Sequence, residues 1–287
     1  MSVDAVATAQ ITAISDGSDY DTAKETLENF RLYSVSVSSD LNGKMQISLP
    51  VDGISEPLVY RIADGKKTKS TLFNLITKNL KPRSGEILLQ NQDVSGMKLR
   101  DFAKQVAIVH QYNTAPEDIT VEKLVAYGRT PHHGFGMSAN TSEDEEKIQR
   151  ALEITNTLKH KDKPVSRLSG GQRQRVWIAM AIAQDTKILF LDEPTTYLDI
   201  RYQLQILKLV RTLNEEHGMT VIMVLHDINQ SLYYSDEIIA MKNGKICSQG
   251  EPKKIITSEL IQEVYGIDLQ ISDLHGKPFV LPVQSIS

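Results

Sequence analysis

The chain has 287 residues, 40% apolar and 24% charged, enough to bury one large core or two smaller ones. A net charge of -4 gives no electrostatic case for a nucleic-acid partner, and a single cysteine, Cys247, excludes an internal disulfide and fits a reducing compartment. No run reaches the ~18 uninterrupted apolar residues of a membrane span, and residues 1–20 lack the basic and apolar regions of a secretory signal, so work at a membrane requires a partner.

In chain order, residues 1–29 read as a polar extension, small and mobile over 1–20. "DTAKETLENF" follows as a short helix, with Thr22 and Glu25 at capping-box spacing. Residues 30–62 read as short strands: "RLYSVSVSSD" alternates, "KMQISLP" is shorter, and "PLVYRI" runs into "ADGKKTKST" at 63–71. That stretch ends in Lys69-Ser70-Thr71, as a phosphate-binding loop does, but Ala63 and Thr68 hold the two required glycine positions. In "KSTLFNLITKNL", Leu72, Leu75, Ile76 and Leu80 fall at helical spacing, so Lys69 and Ser70 open a helix after a strand and a loop.

"SGEILLQNQDV" reads as a strand with a turn and "QVAIVHQ" as a buried strand. Residues 113–168 have few β-branched runs, several loops and one charged helix, "SEDEEKIQRALEITNTL". Past 169 the helices "GGQRQRVWIAMAIAQ" and "YQLQILKLVRTLNEEH" alternate with the strands "KILFLDE" and "TVIMVLHD". Strands apolar throughout and separated by helices indicate a parallel sheet covered on both faces. "EIIAMKNGKICSQG" ends this pattern, and the tail 251–287 contains one more helix, "SELIQEVYG".

Four short stretches carry chemistry. "ILFLDE" (188–193) ends in two carboxylates, at the strand end where doubly wound sheets hold ligands. Asp192 can hold Mg²⁺ there and Glu193 can polarise an attacking water, although an acidic strand-to-loop junction would use the same letters. In "LSGGQ" (168–172), Ser169 can cap the following helix while Gly170 and Gly171 admit a phosphate to the backbone amides, which is more than a plain cap needs. "VLHD" ends another core strand in His226, and "AIVHQ" ends in Gln111, both at the expected edge.

Taken in order, Lys69-Ser70-Thr71, Gln111, Leu168 to Gln172, Asp192-Glu193 and His226 resemble the ATP-binding subunit of ABC transporters. "LSGGQRQRVWIAMAIAQ" followed by "LDEPTTYLD" is the most specific part of the resemblance, which spans about residues 30–287. Within the family, "LVAYGRTPHHGFG", "LDEPTTYLDI" and "VLHDINQS" look most like ATPases of iron–siderophore importers of the ferrichrome type, with heme and cobalamin importers as near neighbours.

The resemblance implies an α/β fold, an ABC-type P-loop ATPase domain over 30–250. It would have a mostly parallel core sheet, an antiparallel β subdomain and an inserted helical subdomain at about 113–175 that docks on the transporter, with 251–287 as a C-terminal extension. It implies ATP and Mg²⁺ as ligands: Lys69 and Thr71 on phosphate, Ser70 and Asp192 on Mg²⁺, and Gln111 sensing the metal and coupling to the membrane subunit. Glu193 matches the catalytic base and His226 the switch histidine. Ser169, Gly170, Gly171 and Gln172 match the signature that binds the γ-phosphate held by the opposite protomer, and Asp199 a loop crossing the dimer interface. The implied partners are integral-membrane permease subunits, a second copy of the chain on ATP binding and, indirectly, an extracellular substrate-binding protein. The implied location is peripheral, on the cytoplasmic face of the membrane. The loop "YGRTPHHGFG" (127–136), with Arg129 and Phe135, is expected to face the permease together with Gln111.

Two anchors depart from the family. Ala63, Lys66 and Thr68 replace glycines whose backbone takes positive φ and exposes bare amides to phosphate; β-branched Thr68 suits that poorly. Gly65 stands one place from an expected glycine, which permits a shifted nest, and Lys66 and Lys67 add charge. The adenine-stacking aromatic is expected near Ser36, and Tyr33 is the candidate. Two readings follow: an ATPase powering ferric-siderophore import, or an ABC-type docking or regulatory module with impaired nucleotide binding.

Overall fold

The computed structural model describes residues 4–9, 36–39, 44–48, 59–61, 69–82, 87–90, 92–133, 141–242, 245–274 and 277–281. The helix expected in "DTAKETLENF", Tyr33, and the loop residues Gly65 and Thr68 lie outside these. Contacts divide the chain into two units, Met1–Gly96 with Ile222–Ser287, and Met97–Val221.

In the first unit, β1 (Asp4–Ala9) pairs antiparallel with β10 (Glu237–Lys242), in the register Asp4↔Met241 to Thr8↔Glu237. For residues 4–9 this corrects the reading as mobile. The small residues suggested disorder, but β-branched Val6 and Thr8 suit a strand, and apolar β10 offers an edge to pair with. The other edge of β10 takes β11 (Lys245–Gly250), with a bulge between Ala240 and Met241. A separate antiparallel sheet runs β2 (Ser36–Ser39), β3 (Lys44–Ser48), β4 (Val59–Arg61), where short strands were expected. Helix α1 (Lys69–Ile76) buries Leu72, Phe73, Leu75 and Ile76. It stops short of the expected Leu80 because Lys78 turns left-handed at φ 68°. Strands β5 (Leu88–Leu89) and β6 (Gln92–Asp93) form the turn-linked pair expected in "SGEILLQNQDV".

The tail belongs to the same unit. Helix α7 (Ile228–Tyr234) is followed, beyond β10 and β11, by the short α8 (Pro252–Ile255) and by α9 (Ser258–Tyr265). Thr257 caps α9, and Gly266 ends it at φ 73°. Leu260 and Val264 pack on Ala240; Ile261 packs with Leu269 and Val280. A hairpin of β12 (Ile271–Leu274) and β13 (Lys277–Val280), not expected from sequence, closes the chain. It is tied down by Asn229, which donates to Val280 O and accepts from Val280 N, both at 2.9 Å.

In the second unit, β7 (Val106–Val109) and β8 (Ile188–Asp192) pair in parallel, from Val106↔Ile188 to Val109↔Leu191. Strand β9 (Thr220–Leu225) begins here, Thr220 N donating to Lys187 O at 2.9 Å, and continues into the first unit. After α2 (Leu99–Ala103) and β7, residues 113–175 contain α3 (Val121–Ala126), a 3₁₀ stretch Tyr127–His132, α4 (Ser142–Ile154) and the start of α5 (Gly170–Ala183). Among the described residues in that range the β-type pairing is one isolated bridge, Thr120↔Pro164. α5 buries Val176, Trp177, Ile178, Ala179, Ala181 and Ala183, as expected of a helix apolar on most sides. α4 ends before the expected "TNTL": the Thr155 hydroxyl bonds back to Ala151 O at 2.9 Å, and Asn156 turns left-handed at φ 55°. Helix α6 (Ile200–Glu215) follows β8 and buries Ile206, Leu207, Leu209, Val210 and Leu213.

Candidate active site

Parallel pairing of β7 and β8 sets the site in the second unit. Gln111 and Glu193 each lie two residues beyond the paired Val109 and Leu191, so both emerge at the same strand ends. There Gln111 Nε2 donates to Glu193 Oε2 at 2.6 Å. The strand stops at Asp192, half-buried, because Glu193 turns left-handed at φ 49°. A non-glycine residue in that region is strained, and such strain gathers at functional sites. Thr196 closes the turn: its amide donates to Glu193 O at 3.2 Å and its hydroxyl to Glu193 Oε2 at 3.1 Å. Asp199 ends the loop as the N-cap of α6, accepting from Tyr202 N at 3.0 Å.

The signature opens α5 with a full capping box. Ser169 Oγ accepts from Gln172 N at 3.4 Å, and Gln172 Oε1 accepts from Ser169 N at 3.0 Å. Gly171 has a packing reason that the sequence did not show. A Cβ there would stand 2.2 Å from Tyr202 Cδ1, whereas at Gly170 it would meet Leu198 at an ordinary 3.6 Å. Tyr202 also places its hydroxyl 3.5 Å from Ser169 Oγ. On the other side, Gln172 Nε2 lies 3.3 Å from His160 Nε2, whose pKa is lowered by burial and then by Lys163 and Lys159. A neutral His160 can accept that bond.

The remaining expected residues fall elsewhere. Lys69, Ser70 and Thr71 form the first turn of α1 in the first unit. His226 follows β9 in that unit and is exposed, and Asp227 after it caps α7 by accepting from Gln230 N at 2.8 Å. The expectation for Arg129 is corrected. It is 3% exposed, donating Nε to Asp144 Oδ1 at 2.7 Å and Nη1 to Ala183 O at 2.9 Å, so it ties α4 to the end of α5 and faces no partner. Gly128 is equally enclosed, a Cβ there falling 2.1 Å from Met180 O; Phe135 lies outside the described residues. Sequence reasoning missed Tyr112, His160, Thr196, Tyr197 and Tyr202; all but Thr196, which bonds to Glu193 three residues before it, meet partners 12 or more residues away.

The sequence pattern of the ABC transporter family matches residues 68–196. Over 225 residues, 78% of this chain and 82% of the relative, the sequence is 45% identical to the petrobactin import ATP-binding protein FpuC of Bacillus anthracis. The chain belongs to the ABC transporter family. This ABC transporter chain is also 41% identical over 241 residues to the ferric enterobactin transport ATP-binding protein FepC of Escherichia coli K12, covering 80% of this chain and 89% of that one. Among solved structures it is similar to a dimeric ATP-binding cassette in a post-hydrolysis state bound to ADP and Pi. The TM-score is 0.56 at 25% identity, covering 78% of this chain and 97% of the other. The family match begins at Thr68, immediately before Lys69, and leaves the altered residues Ala63 and Lys66 outside it.

Proposed function

We propose that this chain is the ATP-hydrolysing subunit that energises import of ferric siderophores by an ABC transporter. The observation that carries this is 45% identity over 225 residues with a petrobactin import ATP-binding protein. The strand-end pairing of Gln111 with Glu193 supports it. Among the described residues no helix is long and apolar enough to cross a membrane. In this reading the chain attaches to the membrane through permease subunits, from the cytoplasmic face.

In this reading Glu193 is the general base for the attacking water, and His226 orients the terminal phosphate. Lys69 and Thr71 hold phosphate oxygens. Ser169, Gly170, Gly171 and Gln172 take the γ-phosphate of a second copy of the chain, with Asp199 at that interface. Tyr197 and Ile200, flanking Asp199, are 81% and 74% exposed, and a second protomer would cover them. Mg²⁺ needs hard oxygen donors and few of them from protein. The Asp192 carboxylate and Gln111 amide supply such donors, and Ser70 is proposed as a further one from its place in the sequence. When bound, the ion neutralises charge on the phosphates.

The test is Mg-ATP turnover by the purified chain. We expect measurable hydrolysis, a loss of at least about a hundredfold in Glu193→Gln, and trapping of that variant as a dimer at saturating Mg-ATP by light scattering. Turnover in Glu193→Gln equal to that of the parent chain would overturn the reading.

A further inference from the structure

Tyr112 follows Gln111, and Tyr197 lies in the loop that Glu193 opens; they are 71% and 81% exposed. Exposed tyrosines ordinarily turn to solvent, but these two meet. Their hydroxyls stand 3.1 Å apart, and their rings lie 6.3 Å between centroids at an interplanar angle of 36°. The meeting is held from both sides. Tyr112 directly follows a residue fixed beyond β7, and Tyr197 sits in left-handed backbone at φ 62°. The turn 193–197 thus begins and ends on non-glycine residues with positive φ, and two adjacent residues of one turn engage two residues of the other: Gln111 with Glu193, Tyr112 with Tyr197.

Glu193 Oε2 already accepts from Gln111 Nε2 and Thr196 Oγ1. A water donating its proton to that oxygen would have to displace one of them. Thr196 is bound within its own turn, so the displaceable donor is Gln111. Its hold is strengthened by whatever fixes the 111–112 turn to the 193–197 turn.

We propose that Tyr112 and Tyr197 are positioning residues for ATP hydrolysis: their hydroxyl contact latches the two turns together, keeps Gln111 on Glu193 Oε2, and so keeps that oxygen of the carboxylate from acting as base until the latch opens. This rests on the reading of Glu193 as general base. The latch acts before chemistry, so weakening it raises the fraction of chains in which Glu193 can accept a proton. One hydrogen bond between neutral, exposed hydroxyls shifts such an equilibrium by less than about tenfold.

The test uses Tyr112→Phe, Tyr197→Phe and the double variant in the full chain; each keeps its ring and loses a hydroxyl. Without added nucleotide, amide hydrogen exchange of segments 110–114 and 193–199 is expected to quicken about two- to fivefold in each variant. At saturating Mg-ATP, turnover is expected to rise by a similar factor. The double variant should equal either single one, because one bond is removed in all three. Residues that merely stabilise the fold would instead lower the melting temperature and turnover together. Unchanged exchange in either segment overturns the latch, and so does faster exchange without faster turnover. Absence of hydrolysis by the parent chain would overturn the ATPase reading, and the exchange measurement would still decide whether the tyrosines hold the turns together.

Discussion

At Gly171 the chain has no room for a side chain, because the Tyr202 ring occupies the place a Cβ would take. Gly171→Ala is therefore expected to lower stability by about 1–3 kcal/mol, the usual cost of overpacking, while Gly170→Ala stays within about 0.5 kcal/mol. Calorimetry on both, with Tyr202→Ala added to the first as partial rescue, checks this. Asp144 is a second residue with more than one duty. Burial alone would raise its pKa, but the Arg129 guanidinium, then Thr141 and His133, hold it well below the usual carboxylate range. Removing one partner of a buried pair costs about 3–5 kcal/mol, so Arg129→Met should unfold early at neutral pH, and protection by Asp144 in the parent chain should fade only in strong acid. Glu237 behaves in the opposite sense. Burial raises its carboxyl to about 6, with the Gln249 bond lowering it in part. The folded chain then keeps a proton that the unfolded chain has lost, so stability falls as pH rises from about 4.5 to about 6. Above that range the charged group costs about 1–2 kcal/mol, less where solvent screens it. Glu237→Gln is expected to melt higher than the parent at pH 7.5 and level with it at pH 4, by calorimetry at both. At this scale the sequence made Gln111, Glu193 and Ser169 to Gln172 legible because each sits at a strand end or helix start. Tyr202 was not legible, because the contact that matters joins residues 33 apart with no shared motif.

Among elements, the apolar strands were legible and the ends of helices were not. β7, β8 and β9 are continuous apolar runs and were read nearly to the residue. α1 and α4 end earlier than their apolar spacing suggests, because Lys78 and Asn156 leave the helix through left-handed backbone that neither glycine nor proline announces. The β12–β13 hairpin was missed since Pro278 argues against a strand interior and its strands are four residues each. What fixes that hairpin is one side chain from α7: Asn229 satisfies both backbone groups of Val280. Asn229→Ala leaves those groups without their partner, at a cost of about 1–3 kcal/mol. We expect hydrogen exchange over 271–281 to accelerate at least tenfold, with exchange in α5 unchanged; equal exchange in the parent chain and Asn229→Ala would show that packing alone holds the tail.

For the molecule as a whole, the α/β class and the ABC-type architecture followed from the order of motifs, whereas the pairing of β1 with β10 did not, since a short run of alanine, valine and threonine resembles a disordered extension. Assembly can be probed at Ile200, the first residue of α6 and 74% exposed. A glutamate there sits at a helix N-terminus, where the backbone dipole favours it, so Ile200→Glu should leave the monomer's melting temperature unchanged. In the Glu193→Gln background it should weaken the ATP-driven dimer at least tenfold by light scattering. The parallel pairing of β7 with β8 has a further consequence, for inheritance by insertion and deletion. Since Gln111 and Glu193 are each set two residues beyond a paired position, loops between the strands can grow or shrink without changing how those side chains meet. Loss of a single residue inside β8 would instead draw Glu193 into the place of Asp192, keep both carboxylates in the sequence, and move the proposed base into the proposed metal position.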